Sequence, residues 1–281
     1  MRRPIFLALC LTGTVALTAC QRSSDAEVQR ALKDVNVIDE SNLSDIMLTV
    51  ADPGEAVNYF QRTASANPDR IDLRRGLATS LVRAGRAAEA TLVWKEVVAH
   101  PQATHDDRIS QADALIRANE WAEAEAVLAQ VPPTHETFDR YRLEAMIADS
   151  RKQWQKADSF YEIAAGMTAR PAGIYNNWGF SKLSRGDAAG AEQLFLQALT
   201  FDPEVFTTKN NLVLARGAQR KYDLPVVPMT QTERAELLHT LALTAIKQGD
   251  VALGKRLLRE AIDTHPQHFD AAARSLAALE A

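Results

Sequence analysis

The feature that most constrains this chain is a pattern of large and small residues recurring with a period of about 34. It is clearest over 172–205, where Tyr175, Trp178, Gly179, Gly186, Ala191, Phe195, Ala198 and Pro203 share one frame. The frame returns at 71–104 with Leu77, Ala78, Leu81, Gly85, Ala90, Trp94 and an early Pro101. It returns again at 235–268 with Leu238, Leu241, Ala242, Ala245, Gly249, Leu258, Ala261 and Pro266. Degenerate copies run through 37–70, 105–133 and 138–171. Each unit reads as two amphipathic helices. Large residues fill the space between the paired helices, and small ones let the two backbones approach. The glycine takes the left-handed conformation that ends the first helix, and the late proline ends the second. Such a unit cannot bury its apolar face alone, so several must stack.

The unit at 172–205 resembles the tetratricopeptide consensus at nearly every signature position. Lys182 departs from it, standing where a large apolar residue is usual, and Gly254 replaces an alanine in the last unit. The resemblance implies an all-α fold. It would be a right-handed superhelical tetratricopeptide-repeat solenoid of about six helix-turn-helix units, closed by a C-terminal capping helix over 269–281. One region breaks the pattern. Residues from Phe206 to about 220 read as a first helix, but Pro225 and Pro228 exclude a regular partner helix over the irregular segment at about 221–231. The next helix would start at Thr230 or Thr232 as N-cap, with Glu233 in its first turn. Pro225-Val226-Val227-Pro228 reads either as a strap across the groove or as a docking segment.

The N-terminus reads as processing rather than fold. Arg2 and Arg3 precede an apolar run from Ile5 to Ala19, shorter than the roughly 20 residues a membrane span needs. Leu17-Thr18-Ala19-Cys20 resembles the bacterial lipoprotein box, which implies a signal peptide over 1–19, cleavage before Cys20 and acylation of that cysteine. An ordinary signal peptide that happens to meet a cysteine is the alternative. Gln21, in place of the aspartate that favours inner-membrane retention in that family, implies sorting to the outer membrane with the protein facing the periplasm. Residues 20–36 would form the lipidated tether and 37–281 the solenoid. Of the two cysteines, Cys10 lies in the removed segment, so Cys20 has no disulfide partner within the mature chain. Loss of Arg2 and Arg3 takes the basic count from 32 to 30 against 36 acids, and the net charge from −4 to −6. An acidic body argues against nucleic acid as the main partner.

No catalytic signature stands out. The chain has no phosphate-binding glycine loop, no Gly-x-Ser-x-Gly elbow and no His-Glu-x-x-His pair. His265 and His268 flank a repeat-terminating proline, as His100 and His105 flank another inter-repeat turn, so both pairs read as structural rather than as metal ligands. Glu120, Glu123 and Glu125 read as a solvated helix face, and Trp94, Trp121, Trp154 and Trp178 as packing residues. The expectation is a binding protein with no cofactor and no metal, not an enzyme.

Binding would fall to the concave surface that stacked first helices create. The tetratricopeptide resemblance assigns to it Asp72, Arg75, Arg83, Arg142, Met146, Asn176, Asn177, Phe180, Asn210 and Asn211. Asparagine can donate and accept toward an extended peptide backbone, and arginine can pair with carboxylates. Equally, Asn177 and Asn211 could tie neighbouring repeats together. Lipobox, tether, repeats and the proline-interrupted stretch together resemble the Tad/Flp pilus assembly lipoproteins. Its most suggestive residues are Lys209 to Arg216, Tyr222 to Glu233, and Ala245 to Asp250, of which only the segment around 209–233 is distinctive. That resemblance implies a pilotin-like scaffold assisting localisation or multimerisation of the pilus secretin. A lipoprotein scaffold for another envelope complex, in β-barrel assembly or peptidoglycan-synthase regulation, is the alternative.

Overall fold

The computed structural model describes residues 43–280. The signal segment, Cys20, the tether and the start of the first degenerate repeat lie outside the described residues. Within them the chain is helical throughout, with no strand. It begins with α1, described over 43–49. There follow α2 (Pro53–Ala66), α3 (Ile71–Arg83), α4 (Ala87–Ala99), α5 (His105–Arg117), α6 (Trp121–Leu128), α7 (Phe138–Ser150) and α8 (Trp154–Gly166). The remainder comprises α9 (Ala172–Ser184), α10 (Ala188–Phe201), α11 (Phe206–Ala218), α12 (Gln231–Lys247), α13 (Val251–Thr264) and α14 (Asp270–Glu280). No helix among the described residues is long and apolar enough to cross a membrane. The chain forms two compact units that divide after Asp107, in the first turn of α5.

The same C-terminal cap ends the first helix of successive repeats. After α3 the Gly85 N–H donates to the Val82 carbonyl and the Arg86 N–H to that of Leu81, a Schellman pair. The pair recurs after α5, α7, α9, α11 and α12. Its left-handed residue is Gly85, Gly186 or Gly249 in the three clear repeats, and Asn119, Lys152 or Arg220 in the others. Side-chain N-caps start the helices that follow several of these turns. Asp187 accepts from the Gly190 N–H and Asp250 from the Leu253 N–H.

In the first unit Phe60 packs with Tyr59, Ala64 and Leu73, and with Met47, Leu48 and Leu77. A Cβ on Gly76 would lie 2.3 Å from the Phe60 ring, so α3 can lie against α2 only with glycine there. In the second unit the small positions close the helix pairs. Ala112, Ala124, Ala145, Ala157, Ala164, Ala191, Ala198, Ala242 and Ala261 are at most 1% exposed. Gly254, the departure noted above, has the same role: a Cβ there would meet Ile246 at 2.3 Å and the Ala242 carbonyl at 3.2 Å. Lys182 leaves the apolar packing to Leu183 and turns to Asp187, 3.1 Å away.

Where α11 lacks a helical partner, residues 219–230 take that place without helix. Val227 packs on the cluster of Ala191, Phe195, Leu199, Leu212 and Ala215. Tyr222, Leu224 and Met229 pack on the cluster built from α12, α13 and Ala272 of α14. The segment is thus a strap bridging two cores, with Val226 fully exposed at its tip. Thr230 ends it as N-cap of α12, in a capping box with Glu233. Glu233 also accepts from Lys209 at 2.9 Å, a lysine of α11 with no exposed surface.

Candidate functional site

The second unit carries a groove of about 510 Å³ whose walls come from α7, α8, α9 and α11, with Trp121 at the start of α6. Its α9 wall follows from helical spacing. Asn176, Asn177, Phe180, Ser181 and Ser184 recur every three or four residues and therefore share one face. Met146, Asp149 and Ser150 supply the corresponding face of α7, and Thr207 and Asn211 that of α11. Trp154 and Tyr161 come from α8.

Hydrogen bonding divides these groups into fixed and available ones. Asn176 Oδ1 accepts from Thr208 Oγ1 at 3.2 Å and from Asn211 Nδ2 at 3.0 Å, which ties α9 to α11. Asn177 also lines the groove, and Phe180 is 57% exposed within it. Asp149 forms part of the floor, accepting from Ser181 Oγ at 2.7 Å and from Tyr161 Oη at 2.9 Å. Burial pushes its carboxyl above the usual carboxylate range, and these two hydroxyl bonds oppose that only in part. Burial likewise raises the Tyr161 phenol, with the Asp149 charge adding to the effect. The Trp121 indole N–H is taken up by Asn119, and the Arg185 guanidinium lies 5.7 Å from the Trp154 ring centroid.

Of the ten residues assigned from sequence to the concave surface, Met146, Asn176, Asn177, Phe180 and Asn211 line this groove. The other five are engaged in ties. Arg75 makes a two-pronged pair with the buried Asp107 at 2.7 Å and also reaches the Gln102 carbonyl. Burial raises the Asp107 carboxyl, but hydrogen bonds from Arg75 and Thr104 outweigh it and the net shift is downward. Arg83 donates to the carbonyls of Met47, Leu48 and Ala51, closing the C-terminal end of α1. Asp72 pairs with Arg70. Arg142 holds Asp113 at 2.9 Å and Asp139 at 3.2 Å, and Asn210 accepts from Thr240. The tryptophans divide too. Trp94 is buried, and Trp178 stacks on Tyr161 while donating to Asp158. Trp121 and Trp154, read from sequence as packing residues, are half-buried and present surface to the groove. Asp149, Ser181 and Thr207 are groove residues that the repeat frame did not single out. The i, i+4 step from Asn177 to Ser181 is the sequence signal that points to one of them.

Among the described residues no group of three or more His, Cys, Asp or Glu side chains could hold a metal ion. His265 Nδ1 engages the Gln267 backbone, and His268 lies 3.9 Å from Asp270.

No protein-family model matches the chain. No curated protein matches it either. Solved structures do. A tetratricopeptide repeat protein from Parabacteroides merdae superposes with a TM-score of 0.52 at 12% identity, covering 89% of this chain and 96% of that one. The fold is that of tetratricopeptide-repeat proteins. The APC/C hetero-tetramer Cut9–Hcn1 gives a TM-score of 0.59 at 13% identity over 81% of this chain. The human IFIT1 dimer with PPP-AAAA gives 0.56 at 14% identity, also over 81%. The chain spans 46% of the former and 59% of the latter. At these identities the likeness concerns the fold alone.

Proposed function

We propose that this chain is a protein-binding scaffold, held at the periplasmic face of the outer membrane by lipid on Cys20, that assists secretin localisation or multimerisation in assembly of a Tad (Flp, type IVb) pilus. The observation that carries the binding reading is the groove itself. Its lining combines exposed Phe180 and the Asn177 amide of the first helix α9 with half-buried Trp121 and Trp154 at the starts of the second helices α6 and α8. Concave sites of a few hundred cubic ångströms with apolar walls and a few polar groups suit an inserted side chain or an extended segment. The anchor rests on Leu17-Thr18-Ala19-Cys20, and the pilus role on the resemblance of 209–216 and 222–233.

The test is complementation of a deletion strain, reading secretin multimers in the outer membrane and pili on the surface. Wild type should restore both. Phe180→Asp, which places a charge in the groove, should restore neither while accumulating normally. Secretin multimers and pili unchanged by the deletion would sink the pilus reading. Cys20→Ser should leave the membrane fraction; if it stays there, lipidation at Cys20 is wrong.

A further inference from the structure

We propose that the groove recognises a basic side chain, arginine or lysine, carried on an otherwise uncharged segment of a partner protein. This deepens the binding reading above and rests on it. Asp149 is the only carboxylate among the groove's lining residues, and none of them carries an amine or guanidinium. Its two oxygens accept from hydroxyls, Ser181 Oγ at 2.7 Å and Tyr161 Oη at 2.9 Å, which orient the carboxylate without neutralising it. An ionised carboxyl has about four acceptor positions, so two bonds leave capacity for more. Arg185, whose charge reaches Asp149, is bound to both oxygens of Asp158 at 2.6 and 2.8 Å. Asp149 therefore faces the groove as a half-buried acid with no direct ion-pair partner.

Charge complementarity decides among occupants. An acidic side chain would meet Asp149, and the two cations beside the walls, Arg142 at Met146 and Arg185 over Trp154, are already held by Asp113 and Asp139 and by Asp158. A wholly apolar one would strip water from Asp149 and return nothing, which is costly for a buried charge. A guanidinium or ammonium restores a charge-assisted hydrogen bond. Its stem can lie along Met146, and its charge can meet ring faces of Trp121 and Phe180. The chain already uses that chemistry once, in Arg185 over Trp154. Asn177 stands beside Phe180 on α9, where an amide can pair with the flanking peptide backbone.

Pools of extended synthetic peptides with the central residue fixed as Arg, Lys, Leu or Glu, titrated calorimetrically into the full-length protein, test this. The Arg and Lys pools should bind at least about tenfold more tightly than the Leu pool, the Glu pool weakest, and added salt should erode that advantage. Asp149→Asn should abolish the advantage, bringing the Arg-, Lys- and Leu-pool affinities together, while its amide oxygen can still accept from Ser181. Thermal melts establish that the variant folds, and the salt dependence of the wild type is a second reading that needs no variant. Equal binding of the Arg and Leu pools, or an Arg preference that persists in Asp149→Asn or ignores salt, overturns the inference while leaving the binding scaffold standing. No binding by any pool overturns both.

Discussion

Gly173 and Gly179 lie on the same helix, α9, yet alanine should act oppositely at the two. Nothing lies within 4 Å of a Cβ on Gly173, so Gly173→Ala should stabilise by about 0.5–1 kcal/mol through helix propensity. A Cβ on Gly179 would meet the Phe195 ring at 2.7 Å, so Gly179→Ala should cost about 1–3 kcal/mol in denaturant unfolding. Lys152, at the left-handed cap where stronger repeats have glycine, should gain about 1 kcal/mol as Lys152→Gly. Two aspartates should respond to acid with opposite sign. The Asp107 carboxyl is depressed in the folded state, so its contribution is present above the ordinary carboxylate range and lost as pH falls through its lowered value. The Asp149 carboxyl is raised, so its contribution is full at acid pH and lost as pH rises through the raised value. Asp107→Asn should therefore flatten the acid limb of a stability–pH profile, whereas Asp149→Asn should add stability at neutral pH. The sequence made one side of the site legible. The tetratricopeptide resemblance reached Met146, Asn176, Asn177, Phe180 and Asn211, but it does not say which polar residues are already partnered. Arg75, Arg83, Arg142 and Asn210 each find a partner 29 to 36 positions away, about one repeat length. Their donors and acceptors are thus spent between equivalent places in neighbouring helix pairs.

At the scale of the element, the strap between α11 and α12 holds the largest concentration of unusual chemistry. Lys209 has no exposed surface and its ammonium meets Glu233, which also closes the capping box with Thr230. Lys209→Ala should cost about 2–5 kcal/mol, by leaving a cavity at a fully buried position and removing the cation beside half-buried Glu233, whereas Lys209→Met with Glu233→Gln should cost less. Thr230→Ala removes only the cap and should cost about 1 kcal/mol in the same unfolding measurement. The helices were legible because their signals are local: small residues at close approaches, glycine or a substitute at the cap, aspartate or threonine at the next start. The strap was not. Two prolines exclude a helix, but which cores Leu224, Val227 and Met229 enter depends on side chains far along the chain.

For the molecule, linear stacking predicts that damage stays near its origin. Leu258 has no exposed surface within the cluster of α12, α13 and α14, and Leu258→Ala should cost about 2–5 kcal/mol. Hydrogen exchange should then show loss of protection in α12 to α14, with α7 to α9 nearly unchanged; uniform loss across the second unit would mean that it unfolds as one cooperative body. The groove lies mainly on α7, α8, α9 and α11, so such a variant should keep its peptide affinity while melting earlier. The strap has a further consequence at this scale. Leu224 and Met229 hold its two sides to a core while Val226 stands in solvent between Pro225 and Pro228. An epitope or fluorophore inserted beside Val226 would interrupt neither a helix nor a cap, which makes that loop tip a place to label the protein in living cells.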